Sequence, residues 1–272
     1  MWRTGTSMLE ILSYGFMQRA LAAGAVVGVV APLMGVFLVL RRLSLIADTL
    51  SHTALAGVAL ALLLDADPLW GALGVALLAA MGIERLRARG KIPGEAVLAV
   101  FLSAGYAVAT VLLSLGGGFT PDLFTYLFGA LTAVQPRDLW LMVPLGGTVL
   151  GAVGLLYKEL LAITLDEEAS RTQGIAVDAL NLLFSAIVAV TVVVSVRVVG
   201  ILLTGSLLAL PPLAALRLAR SFRATLGLAV AFGLTSVLLG LVASFYLNIA
   251  PSGAVVLIAL GLFAGSTRLA RG

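Results

Sequence analysis

No cysteine occurs anywhere in the 272 residues, which excludes disulfides, thiol catalysis and cysteine-ligated metal. Histidine occurs once, at His52, and no H-E-x-x-H is present, so the sequence argues against an intramembrane zinc hydrolase. There is no G-x-x-x-x-G-K-[ST] either, and the chain has no P-loop through which to bind ATP. An N-terminal signal-peptide pattern is not expected, because Glu10, Gln18 and Arg19 interrupt the first apolar run. Charge is scarce as well. Only 11% of the residues are charged.

What remains is apolar: 61% of residues, with a mean hydropathy of +1.14. A soluble domain of this size must turn a large share of its residues to water, so the natural solvent of this chain is lipid. Since a bilayer core is ~30 Å thick, a spanning helix needs roughly 20 apolar residues. Stretches of that kind fall at about 20–40, 44–64, 69–84, 96–115, 139–157, 177–196, 198–216, 224–246 and 253–268. The third is short for a full crossing. Residues 122–134 are apolar but too short to cross, and read as a re-entrant or interfacial helix. The first 19 residues read as an amphipathic surface helix. The expected fold is an all-α integral membrane protein, a polytopic helical bundle of about nine transmembrane helices plus that short helix, in a single transmembrane domain across 1–272.

Basic residues choose the orientation. With the N-terminus outside and the C-terminus cytoplasmic, thirteen of the 17 Lys and Arg lie in the cytoplasm, and only Arg3, Arg19, Arg137 and Arg197 outside. The net charge of +4 follows from these loops and requires no nucleic-acid partner. Arg197 reads as an interfacial anchor at the outer end of its span, with a role in the transport pathway as the alternative.

The most informative interruption is in the second span, SLIADTLSHTALAGVALALLL, which carries Asp48 and His52. Four-residue spacing places both side chains on one helix face, one turn apart. An ionised Asp near the bilayer centre costs ~2.5–3.5 kcal/mol on insertion scales, so such a group is normally held against protein or a wet cavity. A carboxylate and an imidazole at this spacing suit Mn, Fe or Zn. A proton relay, or plain hydrogen bonding between helices, fits the same pair.

A second interruption is the polar loop after the fifth span, Tyr157-Lys158-Glu159 and then LDEEASRTQGI from Leu165. Leu165, Ala169 and Gln173 share a helical face; acidic residues favour the first turn, and Gly174 suits the C-terminal stop. A short helix with a small residue at its centre fits a groove on a soluble partner; a solvated helical loop is the plainer reading. Gly24–Gly28, Gly147–Gly151 and Gly261–Gly265 permit close helix packing, and Pro32 and Pro211–Pro212 are expected to kink their spans.

The stretch VLRRLSLIADTLSHTALAGVALALLL resembles the second-helix signature of the ABC-3 family, the permeases of manganese, zinc and iron ABC importers. DLFTYLFGALTAVQPRDLW, YKELLAITLDEEASRTQGI, VRVVGILLTGSLLALPPLAALRLARSF and ASFYLNIAPSGAVVLIALGLF resemble further segments of that family, in the same order. The resemblance implies a type II-like ABC importer permease in a multi-pass cell inner membrane. It implies a homodimer, separate ABC ATPase subunits, and an extracytoplasmic metal-binding solute-binding protein. It also implies a metal-coordinating site at Asp48 and His52, and an ATPase-coupling helix carrying Asp166, Glu167, Glu168, Ala169, Ser170 and Gly174. No permanently bound cofactor is implied; the metal, Mn, Zn or Fe, is cargo. The chain departs from the family at Ala47, where Gly is common, at Leu55-Ala56-Gly57, where Leu-Pro-Gly is common, and at Asn248, where Asp is common. Two alternatives remain at this point: an ABC permease for a metal chelate such as cobalamin or a siderophore, and an ion-coupled secondary transporter.

Overall fold

The structure, a computed structural model, describes residues 13–90, 92–116, 121–129 and 134–269. Among them every regular element is a helix: α1 Gly15–Leu40, α2 Leu45–Leu63, α3 Pro68–Ala88, α4 Gly94–Leu115, α5 Pro121–Phe128 and α6 Pro136–Leu155. There follow α7 Tyr157–Leu165, α8 Glu167–Thr172, α9 Val177–Val199, a 3-10 turn at Ile201–Leu203, α10 Thr204–Leu218, α11 Phe222–Leu247 and α12 Pro251–Leu269. Nine of the helical segments among the described residues are long and apolar enough to cross a membrane. The chain is a multi-pass membrane protein.

Three boundaries differ from the sequence reading. The first span begins at Gly15, so residues 15–19 belong to α1 rather than to a surface helix; residues 1–12 lie outside the described set. Arg19 is accommodated there because its Nε donates to the Val134 carbonyl at 3.0 Å. The third span is not short. It runs for 21 residues because Glu84 is buried and paired, accepting from Arg87 at 3.0 Å and from the Ser185 hydroxyl at 3.2 Å. The expected 122–134 helix is the eight-residue α5, with 130–133 outside the described residues.

The helices α1, α2 and α9 are the most enclosed. Small residues set how closely their neighbours approach. Gly57 of α2 faces Gly71 of α3 backbone to backbone, and Gly105 of α4 sits against the Thr53 backbone of α2. Here Gly57 survives as the contact point although Ala56 stands before it. Gly24 and Gly28 seat α11, whereas a Cβ added at Gly147, Gly151, Gly261 or Gly265 would meet nothing within 4 Å in this chain. In α10 the missing N–H of Pro212 frees the Leu208 carbonyl, and that carbonyl lies against Gly35 of α1. Asn248 closes α11 in the left-handed conformation (φ 53°), a backbone task that Asn tolerates.

Candidate functional site

Asp48 and His52 occupy the first two turns of α2, and both are half-buried. Their backbone is held on either side by hydroxyls that bond within the membrane. Thr49 Oγ1 donates to Leu45 O at 2.9 Å and lies 3.3 Å from Leu98 O of α4, and Ser51 Oγ donates to Ala47 O at 2.8 Å. The His52 ring meets Tyr106 of α4 edge to face, centroids 5.7 Å apart. His52 Nδ1 is buried with no hydrogen-bond partner among the described residues, a nitrogen left over by the protein's own bonding.

Asp48 reaches a break in the bundle. The helix α9 ends at Gly200 (φ 80°), a 3-10 turn follows, and α10 begins at Thr204. Thr204 Oγ1 fastens this elbow by donating to Gly200 O at 2.6 Å. The Asp48 carboxylate then lies directly on Gly205, where a Cβ would stand 2.7 Å from Asp48 Cγ. Gly205 is thus part of the site, and nothing in the sequence distinguished it among 30 glycines.

Arg197 is not an interfacial anchor. Its guanidinium is buried and pairs with the buried Asp138, Nη2 to Oδ1 at 3.0 Å, with the Tyr126 ring of α5 4.7 Å away. The second Asp138 oxygen accepts from the Gln135 N–H at 2.9 Å, capping α6. Removing one partner of such a pair typically costs about 3–5 kcal/mol.

The polar loop folds as two helices, since Asp166 ends α7 and caps α8, Oδ1 accepting from Ala169 N–H at 2.9 Å. Gly174 (φ 82°) closes α8. Asp166, Glu168 and Gly174 are exposed, Glu167 and Ala169 half-buried, and Ser170 is buried against its own chain. Glu167 lies 3.6 Å from Arg41 at the end of α1, and accepts from Asn181 of α9 at 3.1 Å. Arg41 in turn donates to Asn181 at 2.6 Å. Burial pushes the Arg41 guanidinium below its usual range, with Glu167 pulling the other way. A cleft of about 260 Å³ opens here, lined by Arg41, Arg42, Arg87, Thr164 and Glu167, and is separate from Asp48 and His52.

Residues 13–269 match the ABC 3 transport family. The chain belongs to that family. Its ABC 3 relatives include a probable metal transport system membrane protein of Treponema pallidum, 38% identical over 250 residues, covering 92% of this chain and 94% of the relative. The manganese transport system membrane protein MntC of Listeria innocua is 31% identical over 253 residues, covering 93% and 90%. Among solved structures, PsaBC from Streptococcus pneumoniae in complex with Fab superposes with a TM-score of 0.86 at 30% identity, over 96% of this chain and 95% of that one. An inward-facing metal-chelate type ABC transporter superposes at 0.74 with 18% identity, which speaks for the fold alone.

Proposed function

We propose that this ABC 3 chain is the transmembrane permease subunit of an importer for divalent transition metal ions, with ATP hydrolysed by a separate subunit. Manganese leads zinc and iron because relatives across nine-tenths of the chain are manganese permeases. The observation that carries the reading is the Asp48–His52 pair. One ionisable oxygen ligand and one unpartnered nitrogen share a face, half open, with backbone rather than a counter-charge behind the carboxylate. Among the described residues of one chain no third His, Asp or Glu joins them. A homodimer supplies the rest: two carboxylates and two imidazoles facing each other surround one ion with four donors. An extracytoplasmic solute-binding protein delivers the ion, and ATPase closure against the 166–174 segment re-packs the spans around it. Cells carrying the permease with its ATPase should accumulate Mn²⁺ above cells lacking it; a rise in Zn or Fe without Mn reassigns the cargo.

Orientation is tested through the absence of cysteine. Ala66→Cys, at an exposed turn, should label from outside, while Ala88→Cys and Thr172→Cys should label only after permeabilisation. Labelling of Ala88→Cys and Thr172→Cys from opposite faces contradicts the nine-span arrangement.

For the coupling helix the half-buried Ala169 is the clean position, since a large group at Ser170 would disrupt the chain's own packing. Ala169→Trp should overfill the groove of the ATPase. The permease should still insert and dimerise, and metal-stimulated ATP hydrolysis should fall well below wild type. Unchanged stimulation would leave this loop a solvated connection.

A further inference from the structure

Arg197 and Asp138 have no part in the cargo, ATPase or solute-binding contacts proposed above, yet their side chains are only 8% and 1% exposed. A buried ion pair is a poor device for stability, because well-packed apolar residues in its place are often as stable or more so. This one carries an added penalty: Arg197 Nε is buried with no acceptor among the described residues. The use left to such an arrangement is what it holds in place.

What it holds is short. Arg197 lies three residues before the turn at Gly200 and eight before Gly205, the residue against Asp48. Between them run one bond-fixed elbow, closed by Thr204 on Gly200, and a single 3-10 turn packed on α2. On the other side the elbow leans on α5. The Gly200 Cα lies so near the Leu127 carbonyl and the Gly129 nitrogen that a Cβ would stand 2.7 Å from the latter, and Gly129 in turn abuts Val198. The Tyr126 ring beneath the guanidinium ties α5 to the same arginine. Asp138, fixed by its bond to Gln135, ties in α6. One buried arginine therefore joins α5, α6 and α9 into a unit whose next residues form the wall behind the Asp48 carboxylate.

We infer that Arg197 and Asp138 are positioning residues for the ion site, holding the 200–205 elbow where it aims Asp48 at the cargo. The inference rests on the Asp48–His52 reading above, and the test separates the two. The complete transporter (permease, ATPase and solute-binding protein) is reconstituted in proteoliposomes, and the KM and maximal rate of Mn²⁺ uptake are measured. The double variant Asp138→Asn/Arg197→Met removes both charges together while keeping an oxygen to cap α6. It should assemble and melt like wild type, yet its KM for Mn²⁺ should rise roughly tenfold or more, the range seen when outer-shell support of a metal site is lost. Arg197→Lys keeps the charge and one bond, and should restore most of the affinity.

A wild-type KM in the double variant overturns the inference. So does a double variant that fails to assemble, since the pair is then a stability element, or a lysine variant no better than the double. His52→Ala is measured in parallel: if it is inactive while the double variant is normal, only the positioning role fails. If His52→Ala itself transports normally, the ion-site reading has failed and the inference with it.

Discussion

Gly205→Ala is expected to abolish metal uptake while leaving a folded permease in the membrane. The added methyl would stand 2.7 Å from Asp48 Cγ and nearer still to Oδ1, inside any tolerable contact. Two responses are open to the protein, and both damage the site. Either the carboxylate rotates away from the face it shares with His52, or α10 shifts off α2. A displacement on the order of 1 Å in a reacting geometry costs about 100-fold in rate where that geometry matters. The controls are Gly74→Ala and Gly227→Ala, where an added Cβ meets nothing within 4 Å. They should transport normally at matched abundance, and uptake by Gly205→Ala at their rate would detach Gly205 and the elbow from function.

The second large effect concerns the proposed ligands, Asp48 and His52. Asp48→Asn keeps shape and hydrogen bonding while removing the charge, and His52→Ala removes the nitrogen whose Nδ1 the protein leaves unpartnered. Both variants should reach the membrane and bind the ATPase, yet lose most Mn²⁺ uptake. Metal must compete with protons for neutral imidazole and ionised carboxylate, so wild-type uptake should also weaken in mildly acidic medium. His52→Ala transporting at the wild-type rate while assembled would return His52 to a packing role against Tyr106.

Composition made the architecture legible because lipid imposes one simple demand, a long apolar helix for every crossing. Misplaced boundaries fell where charge sits inside a helix. Glu84 read as an end although Arg87, one turn on, is its nearer partner, because its other support, the Ser185 hydroxyl, comes from 101 residues away. Arg19 and Arg197 read as an end and an anchor because the Val134 carbonyl and the Asp138 carboxylate that accommodate them come from 115 and 59 residues away. A partner so distant in sequence leaves no local trace. The half of the site that carries chemistry was visible for the opposite reason, since Asp48 and His52 stand one turn apart in an otherwise apolar run. Gly205 was not. With 30 glycines in the chain, only the packing shows which of them a carboxylate leans on. Likewise the acidic residues from Asp166 marked a helix start, but not that Asp166 would both end α7 and cap α8.

In the proposed transport cycle, ATP hydrolysis on a partner subunit drives a divalent metal ion through the Asp48–His52 site. This is tested most directly by Mn²⁺ flux into proteoliposomes holding the permease with or without its ATPase and solute-binding protein, with ATP inside or outside, and with or without a proton gradient. Mn²⁺ should move only when the ATPase is present and supplied with ATP on its own side, and this flux should be insensitive to collapse of the gradient and absent in His52→Ala. Mn²⁺ accumulation by the permease alone, driven by the proton gradient and indifferent to ATP, would contradict it.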